Sequence, residues 1–204
     1  LEKDLMLGTA LMDMYAQCGM LEKAQEIFAK LPVQNRVAWC ILITGYAQHG
    51  LGYAALTCFW QMRHVCIDYD SVAFICGLKA CGSIGCLMKL KEIHANVIIH
   101  GLEENIAIGS TLINIYATCG LLIEAQAVFD RIPIQDMIMW TALISGYTDC
   151  GYGVKALDCF KKMQGHGVSP GPVTFLCVLK SCASIGSIIE GQEIHNEIVK
   201  IGVE

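Results

Sequence analysis

Residues 39–62 read WCILITGYAQHGLGYAALTCFWQM and residues 140–163 read WTALISGYTDCGYGVKALDCFKKM, so Trp39 and Trp140 open the same phrase 101 residues apart. The whole chain slides onto itself at that displacement. Tyr15 falls on Tyr116, Gly19 on Gly120, Pro32 on Pro133, Met62 on Met163 and His94 on His195. About 40 of roughly 103 aligned pairs are identical, and self-similarity on this scale marks a repeat array. Such a chain buries the faces of its units against one another and offers no single cleft for chemistry. Function is expected in side chains that recur once per unit along one face.

Apolar residues recur at helical spacing and only 4 of 204 residues are Pro. An all-helical solenoid therefore follows. The mean hydropathy of +0.50 is high for a soluble chain, as expected of units that cover each other's faces. No stretch reaches the ~18 uninterrupted apolar residues of a spanning helix, so no membrane partner is expected. Net charge is −5 and no basic stripe is visible, which argues against an electrostatic binder of duplex DNA or of membrane surfaces. Leu1 is not Met and Glu204 falls inside a unit. The reading expects a segment of a longer array, with any targeting peptide or terminal domain outside it.

The 12 cysteines include four pairs that repeat at the long period: Cys18/Cys119, Cys58/Cys159, Cys76/Cys177 and Cys81/Cys182. No CxxC occurs, and the spacing of Cys76, Cys81 and Cys86 splays them around a helix. The reading is small buried apolar side chains at close helix contacts, held as free thiols in a reducing compartment, ahead of disulfides or metal ligation. No metal site or cofactor is expected.

The long period breaks into six units, 5–35, 36–70, 71–105, 106–136, 137–171 and 172–204, the last truncated. Each reads as two antiparallel helices. In the second, Val37, Leu42, Ile43 and Tyr46 form one apolar stripe, Gly50 supplies a left-handed stop, and Ala55, Leu56, Phe59 and Met62 carry the facing stripe. The fifth repeats this with Ile138, Leu143, Ile144, Tyr147, Gly151, Ala156, Leu157, Phe160 and Met163. Pro32 and Pro133 cut the second helix of the first and fourth units short by about a turn. The expected architecture is a right-handed α-solenoid of stacked helix-turn-helix repeats.

At this level of detail the chain closely resembles the pentatricopeptide repeat (PPR) family, and within it the plant PLS subclass that cycles short, standard and long-type repeats. The short units carry LMDMYAQCGMLEKAQEIFAKLP and LINIYATCGLLIEAQAVFDRIP. The standard units carry the two phrases quoted first, and the long-type units carry FICGLKACGSIG…KEIHANVIIHGL and FLCVLKSCASIG…QEIHNEIVKIGV. The resemblance covers essentially the whole chain. Tetratricopeptide arrays stack helix pairs at a period of about 34 residues, but they do not alternate 31 and 35 as these units do.

The resemblance implies single-stranded RNA binding, one base per repeat, read by the fifth and last residues of each unit. The second residue, usually apolar, wedges between neighbouring bases. Those positions are Met6, Val37, Val72, Ala107, Ile138 and Val173, of which Ala107 is small and stacks weakly. Without the resemblance an apolar residue near a helix start reads simply as core. The reading pairs are Thr9 with Asn35, Cys40 with Asp70, Ser110 with Asp136, and Thr141 with Gly171. An Asn amide N–H can meet the adenine N1 acceptor, so adenine is expected at Thr9/Asn35. An ionised Asp only accepts and suits the N–H donors of guanine, so guanine is expected at Ser110/Asp136. Asp70 favours guanine or uracil, with Cys40 a weak discriminator. Gly171 has no side chain, and Thr141 leaves a purine bias. Ile75 and Leu176, at the fifth position of the long-type units, cannot bond a base edge. The expected hexamer, 5′ to 3′, is A, G or U, any, G, purine, any.

Family members often place Lys near the end of the first helix, where it meets phosphate. The corresponding residues are Gln17, Gln48, Ser83, Thr118, Asp149 and Ser184. None is basic, so weak binding with a shallow salt dependence is expected. No enzymatic activity is expected: His94 and His195 read as packed or rim histidines with no nucleophile repeated nearby, and GYG at 151–153 lacks a phosphate-cradle pattern. By resemblance the parent protein belongs in mitochondria or chloroplasts, most often specifying a cytidine for C-to-U RNA editing. The alternative is a protein–protein scaffold in which the long-type repeats dock accessory RNA-editing proteins, with Ile75, Leu78, Val97, Ile98 and Ile99 as contributors.

Overall fold

The computed structural model describes residues 2–202, and the side chains of 5–200. Leu1, Val203 and Glu204, the ends of the expected array, lie outside the described residues. Among the described residues there are twelve α-helices and no strand: α1 (Glu2–Gln17), α2 (Leu21–Lys30), α3 (Arg36–Gln48), α4 (Gly52–His64), α5 (Ser71–Ile84), α6 (Leu87–Ile99), α7 (Ile106–Thr118), α8 (Leu122–Arg131), α9 (Met137–Asp149), α10 (Gly153–Gly165), α11 (Pro172–Ile185) and α12 (Ile188–Ile201). They divide between two compact halves, Leu1–Leu102 and Glu103–Glu204, of three helix hairpins each. Five odd-numbered helices start on the first residue of an expected unit. The exception is α1, which opens at Glu2, ahead of the unit boundary at 5.

In the first half α1, α3 and α5 pack side by side, and α2 and α4 lie against α3 and α5. The second half repeats this with α7, α9 and α11 in a row and α8 and α10 behind. The recurring tryptophan holds the two layers together. Trp39 meets Phe28 edge-on at 4.7 Å and Trp140 meets Phe129 at 4.5 Å. A second link recurs beside it: the Tyr46 hydroxyl donates to Gln25 Oε1 at 2.9 Å, and Tyr147 donates to Gln126 Oε1 at 3.1 Å.

Local chemistry sets the ends of these helices. Asn35, Asp70, Asn105 and Asp136 each cap an odd-numbered helix, the side chain accepting from the backbone N–H three residues on. That geometry satisfies one of the orphan donors of a helix start. Gly50 and Gly151, at φ +77° and +79°, turn the chain out of α3 and α9 as the sequence predicts. Leu31 and Ile132 are extended ahead of their prolines, and α2 and α8 stop at 10 residues where α4 and α10 run to 13.

The predicted stripes are buried with two exceptions. Leu42, Ile43, Tyr46, Ala55, Leu56, Phe59 and Met62 are core, as are their partners in the fifth repeat, but Val37 and Ile138 are exposed. They sit in the first turn of their helices, where the caps turn them away from α2 and α8. Cysteine burial also differs from the expectation. Cys40, Cys76, Cys81, Cys159, Cys177 and Cys182 are buried, whereas Cys18, Cys66 and Cys150 are exposed. Cys18 and Cys150 lie at helix C-termini, just beyond α1 and α9.

Candidate nucleic-acid interface

The odd-numbered helices bring the expected reading residues together within each half. An open cleft of about 470 Å³ is lined by Met6, Thr9, Asn35 and Val37, together with Leu5, Ala10, Asp13 and Ile41. It therefore contains two wedge positions and the complete reading pair of the first repeat. A second cleft, about 270 Å³, gathers Val37, Cys40, Asp70 and Val72 in the same way. In the other half a third, about 360 Å³, gathers Ile138, Thr141, Gly171 and Val173. Sequentially distant residues thus meet at three reading positions. The five large wedge residues are 53–75% exposed, and Ala107 is exposed too. The core reading of an apolar residue at a helix start is excluded for all six.

The cap geometry decides what each last residue can offer. Asn35 Oδ1 accepts from the Ala38 N–H at 3.0 Å. Its carbonyl is spent on α3, and the amide nitrogen, a donor only, is left to face a ligand. Asp136 Oδ1 accepts from the Met139 N–H at 2.9 Å, leaving Oδ2 as an acceptor. The fifth residues are committed in the opposite sense. Thr9 Oγ1 donates to the Leu5 carbonyl at 2.6 Å and Ser110 Oγ to the Ala107 carbonyl at 3.2 Å. With their protons engaged, both hydroxyls present lone pairs. Thr9/Asn35 is therefore an acceptor beside a donor, and Ser110/Asp136 an acceptor beside an acceptor.

The standard repeats are arranged differently. Asp70 Oδ1 caps α5 through the Ala73 N–H at 2.9 Å, but Oδ2 is bonded by Arg36 Nη1 at 2.8 Å. Cys40 is buried and hydrogen-bonds its thiol to Cys76, which raises its own pKa strongly, burial adding to the effect. The same bond, with a second from Thr44 at 3.2 Å, draws Cys76 below the ordinary thiol range. Cys40 thus borders the cleft with its thiol engaged by its neighbour. Thr141 shares its proton with Thr174 at 2.7 Å, and Thr174 Oγ1 accepts from the Gly171 N–H at 3.3 Å. Gly171 offers α11 no side-chain cap, and the buried Thr174 hydroxyl instead satisfies the Gly171 N–H itself.

Sequence reasoning passed over two residues. Asn105 caps α7 through the Ile108 N–H at 3.1 Å with the same geometry as Asn35, and an Asn directly before an apolar helix start could have flagged it. Arg36 stands at the first helical residue of its repeat, where the other odd-numbered helices carry Glu2, Ser71, Ile106, Met137 and Pro172. Only the fold brings it to Asp70.

None of the odd-numbered helices has a basic residue in its last turn, and Gln17, Gln48, Ser83, Thr118, Asp149 and Ser184 are all exposed there. Among the described side chains, basic residues on these helices are confined to Arg36, Lys79 and Lys180. His195 is exposed and His94 half-buried. A larger cleft of about 570 Å³, bordered by Tyr147, Tyr152 and Lys155, carries none of the reading positions. Lys155 Nζ lies over both of its tyrosine rings, at 5.7 and 5.4 Å. Of the expected scaffold contributors, Leu78 and Val97 are fully buried and leave Ile98 and Ile99 as the exposed pair on α6. The pairing of α5 with α4 and α6 takes Leu78 and Val97 into the core, which removes them from any docking surface.

Fold and site together define an all-helical repeat protein whose odd-numbered helices, within each half, carry side-chain caps at their starts. The PPR repeat pattern matches residues 9–35, 37–66, 110–134 and 173–203, and a second PPR repeat family matches 135–184. The chain belongs to the pentatricopeptide repeat family. A chloroplastic pentatricopeptide repeat-containing protein of Arabidopsis thaliana is 37% identical over 196 residues, 96% of this chain and 32% of the relative. The chloroplastic Arabidopsis protein CRR2 is 38% identical over 188 residues, 91% of this chain and 29% of its own. A mitochondrial Arabidopsis relative is 32% identical across the whole chain and 37% of its own length. This chain thus spans about a third of the relatives it matches. Two crystal structures of PPR10 share the fold at 19% identity: the maize protein (TM-score 0.73, 95% of this chain, 29% of that one) and its complex with an 18-nt psaJ RNA element (TM-score 0.65, 97% and 35%).

Proposed function

We propose that this chain is a sequence-reading segment for single-stranded RNA, taking one base per repeat between successive wedge residues. The observation that carries the proposal is the convergence of two wedges and one reading pair in each of three clefts. Family membership and the PPR10–RNA complex support it. At the first repeat, the Thr9 lone pair takes the adenine N6 amine while the Asn35 amide donates to N1. At the fourth, the Ser110 lone pair and Asp136 Oδ2 take two N–H donors of guanine. Each good pair contributes about 1–3 kcal/mol of discrimination by analogy with other direct readers. Two such pairs give modest specificity, so the segment binds weakly by itself. It acts by binding rather than by bond chemistry, as the recognition part of a mitochondrial or chloroplast RNA-processing factor, with C-to-U editing-site recognition as the favoured role.

Competition binding against short RNAs tests this. An RNA carrying A and G three positions apart should bind best. The same RNA with those bases exchanged should bind about tenfold or more weakly, and DNA of the same sequence should compete poorly. Combining Thr9→Ala with Ser110→Ala should level the two RNAs. Equal binding of both by the unaltered chain would sink the reading and leave the protein scaffold, centred on Ile98 and Ile99, as the function to pursue.

A further inference from the structure

The second repeat holds a charged group that the two-residue scheme does not use. Each oxygen of Asp70 already carries a bond: Oδ1 caps α5, and Oδ2 accepts from Arg36 Nη1 at 2.8 Å. Arg36 is held from a second side, its Nε donating to the Asp68 carbonyl at 3.1 Å. Both side chains line the cleft between Val37 and Val72, and both remain partly open to solvent. The other candidate reader, Cys40, lines the same cleft, but it is buried and its thiol is engaged by Cys76. Asp13 and Thr44 border the cleft as well, and Arg36 is its one cation, with guanidinium donors left over from the bonds to Asp70 and Asp68.

We infer that Arg36, oriented by Asp70 and Asp68, is the reading residue of the second repeat and selects cytosine there. The inference rests on the base-per-repeat reading above. Guanidinium donors lie in one plane with a fixed fork and favour two adjacent acceptors. On the Watson–Crick edge cytosine alone sets two acceptors, N3 and O2, side by side. Guanine and uracil place an N–H at the centre of that edge, donor against donor, and adenine offers the single acceptor N1. The guanine or uracil expected from Asp70 in the sequence is thus displaced by a neighbour that neutralises it. Asp136 shows the contrast. Its repeat starts with Ile106, which offers no cation, and its Oδ1 accepts from the Met139 N–H.

The test is competition binding with four RNAs that differ at the second position, each also made with G or A at the fourth. The unaltered chain should prefer cytosine at position two by about fivefold or more over guanine and uracil. Arg36→Met, which keeps the aliphatic stem, and Arg36→Ala should both reverse this toward guanine or uracil by freeing Asp70. A different result overturns the inference: a uniform loss for all four bases, with the salt slope reduced by about one phosphate contact, makes Arg36 a phosphate ligand instead. No base preference at position two in the unaltered chain also overturns it. The fourth position is the internal control. Discrimination of G from A there with none at position two sinks only the role of Arg36, whereas loss at both positions sinks base reading itself.

Discussion

Asp136 offers two acceptors in one carboxylate, Oδ1 closing the α9 helix start and Oδ2 left over for a ligand. The two tasks can be separated. Asp136→Asn keeps the cap, since Asn and Asp cap equally well, but exchanges the outward acceptor for an amide donor. The thermal midpoint should stay put while the preferred fourth base moves from guanine to adenine. Asp136→Ala should lose about 1 kcal/mol of stability together with the preference. A variant that keeps its guanine preference as Asn would show that Oδ2 does not face the base. At this scale the sequence is a partial guide. The last residues of the repeats can be located by counting, although counting does not show their part as caps, and the expected wedge positions follow from the family resemblance rather than from the apolar pattern. The Arg36–Asp70 pair (34 residues apart) and the Thr141–Thr174 pair cannot be located by counting, because a fold is needed to bring them together.

Between elements, the limiting contact is a glycine. A Cβ on Gly146 would lie 2.6 Å from Ala117 Cβ, 3.0 Å from Leu122 Cδ2 and 3.2 Å from the Ala117 backbone, and Gly45 stands in the same relation to Ala16 and Leu21. These glycines let α9 approach α7 and α3 approach α1. Gly146→Ala should cost about 1–3 kcal/mol, because α7 itself must move, and this outweighs the gain in helix propensity. Gly165→Ala, with nothing within 4 Å of the added atom, should be neutral or stabilising by less than about 1 kcal/mol. Urea denaturation of the two variants checks both. Most of the element level was legible in the sequence. Glycine stops, proline breaks and apolar periodicity act over a single turn, and they set the helix ends. Apolarity alone does not separate Val37 from Leu42, and it is the family resemblance that sets Val37 at an outward position. Leu78 and Val97 are buried while Ile98 and Ile99, equally apolar, are exposed, and only the packed fold separates them.

For the chain as a whole, the balance of charge fixes how it meets a polyanion. With Arg36, Lys79 and Lys180 as the described basic side chains on the reading helices, few counterions can be released. The plot of log K against log salt should have a slope no steeper than about −2, at roughly 0.7 per phosphate contact on a single strand. A steeper slope would place phosphate contacts on the even-numbered helices and redraw the interface. Any affinity for RNA must then come mainly from stacking and base edges, in a chain that spans about a third of the relatives it matches. The caps of the odd-numbered helices carry a consequence for how such an array changes over evolutionary time. The residues tolerated at a helix start are Asn, Asp, Ser, Thr and Gly, and the last residue of each repeat is drawn from that same short alphabet. Moving between Asn and Asp changes the message at almost no cost to folding. Any other letter is penalised in every copy of the protein, whether or not RNA is bound. Drift between targets should therefore follow the few substitutions that a helix start already permits.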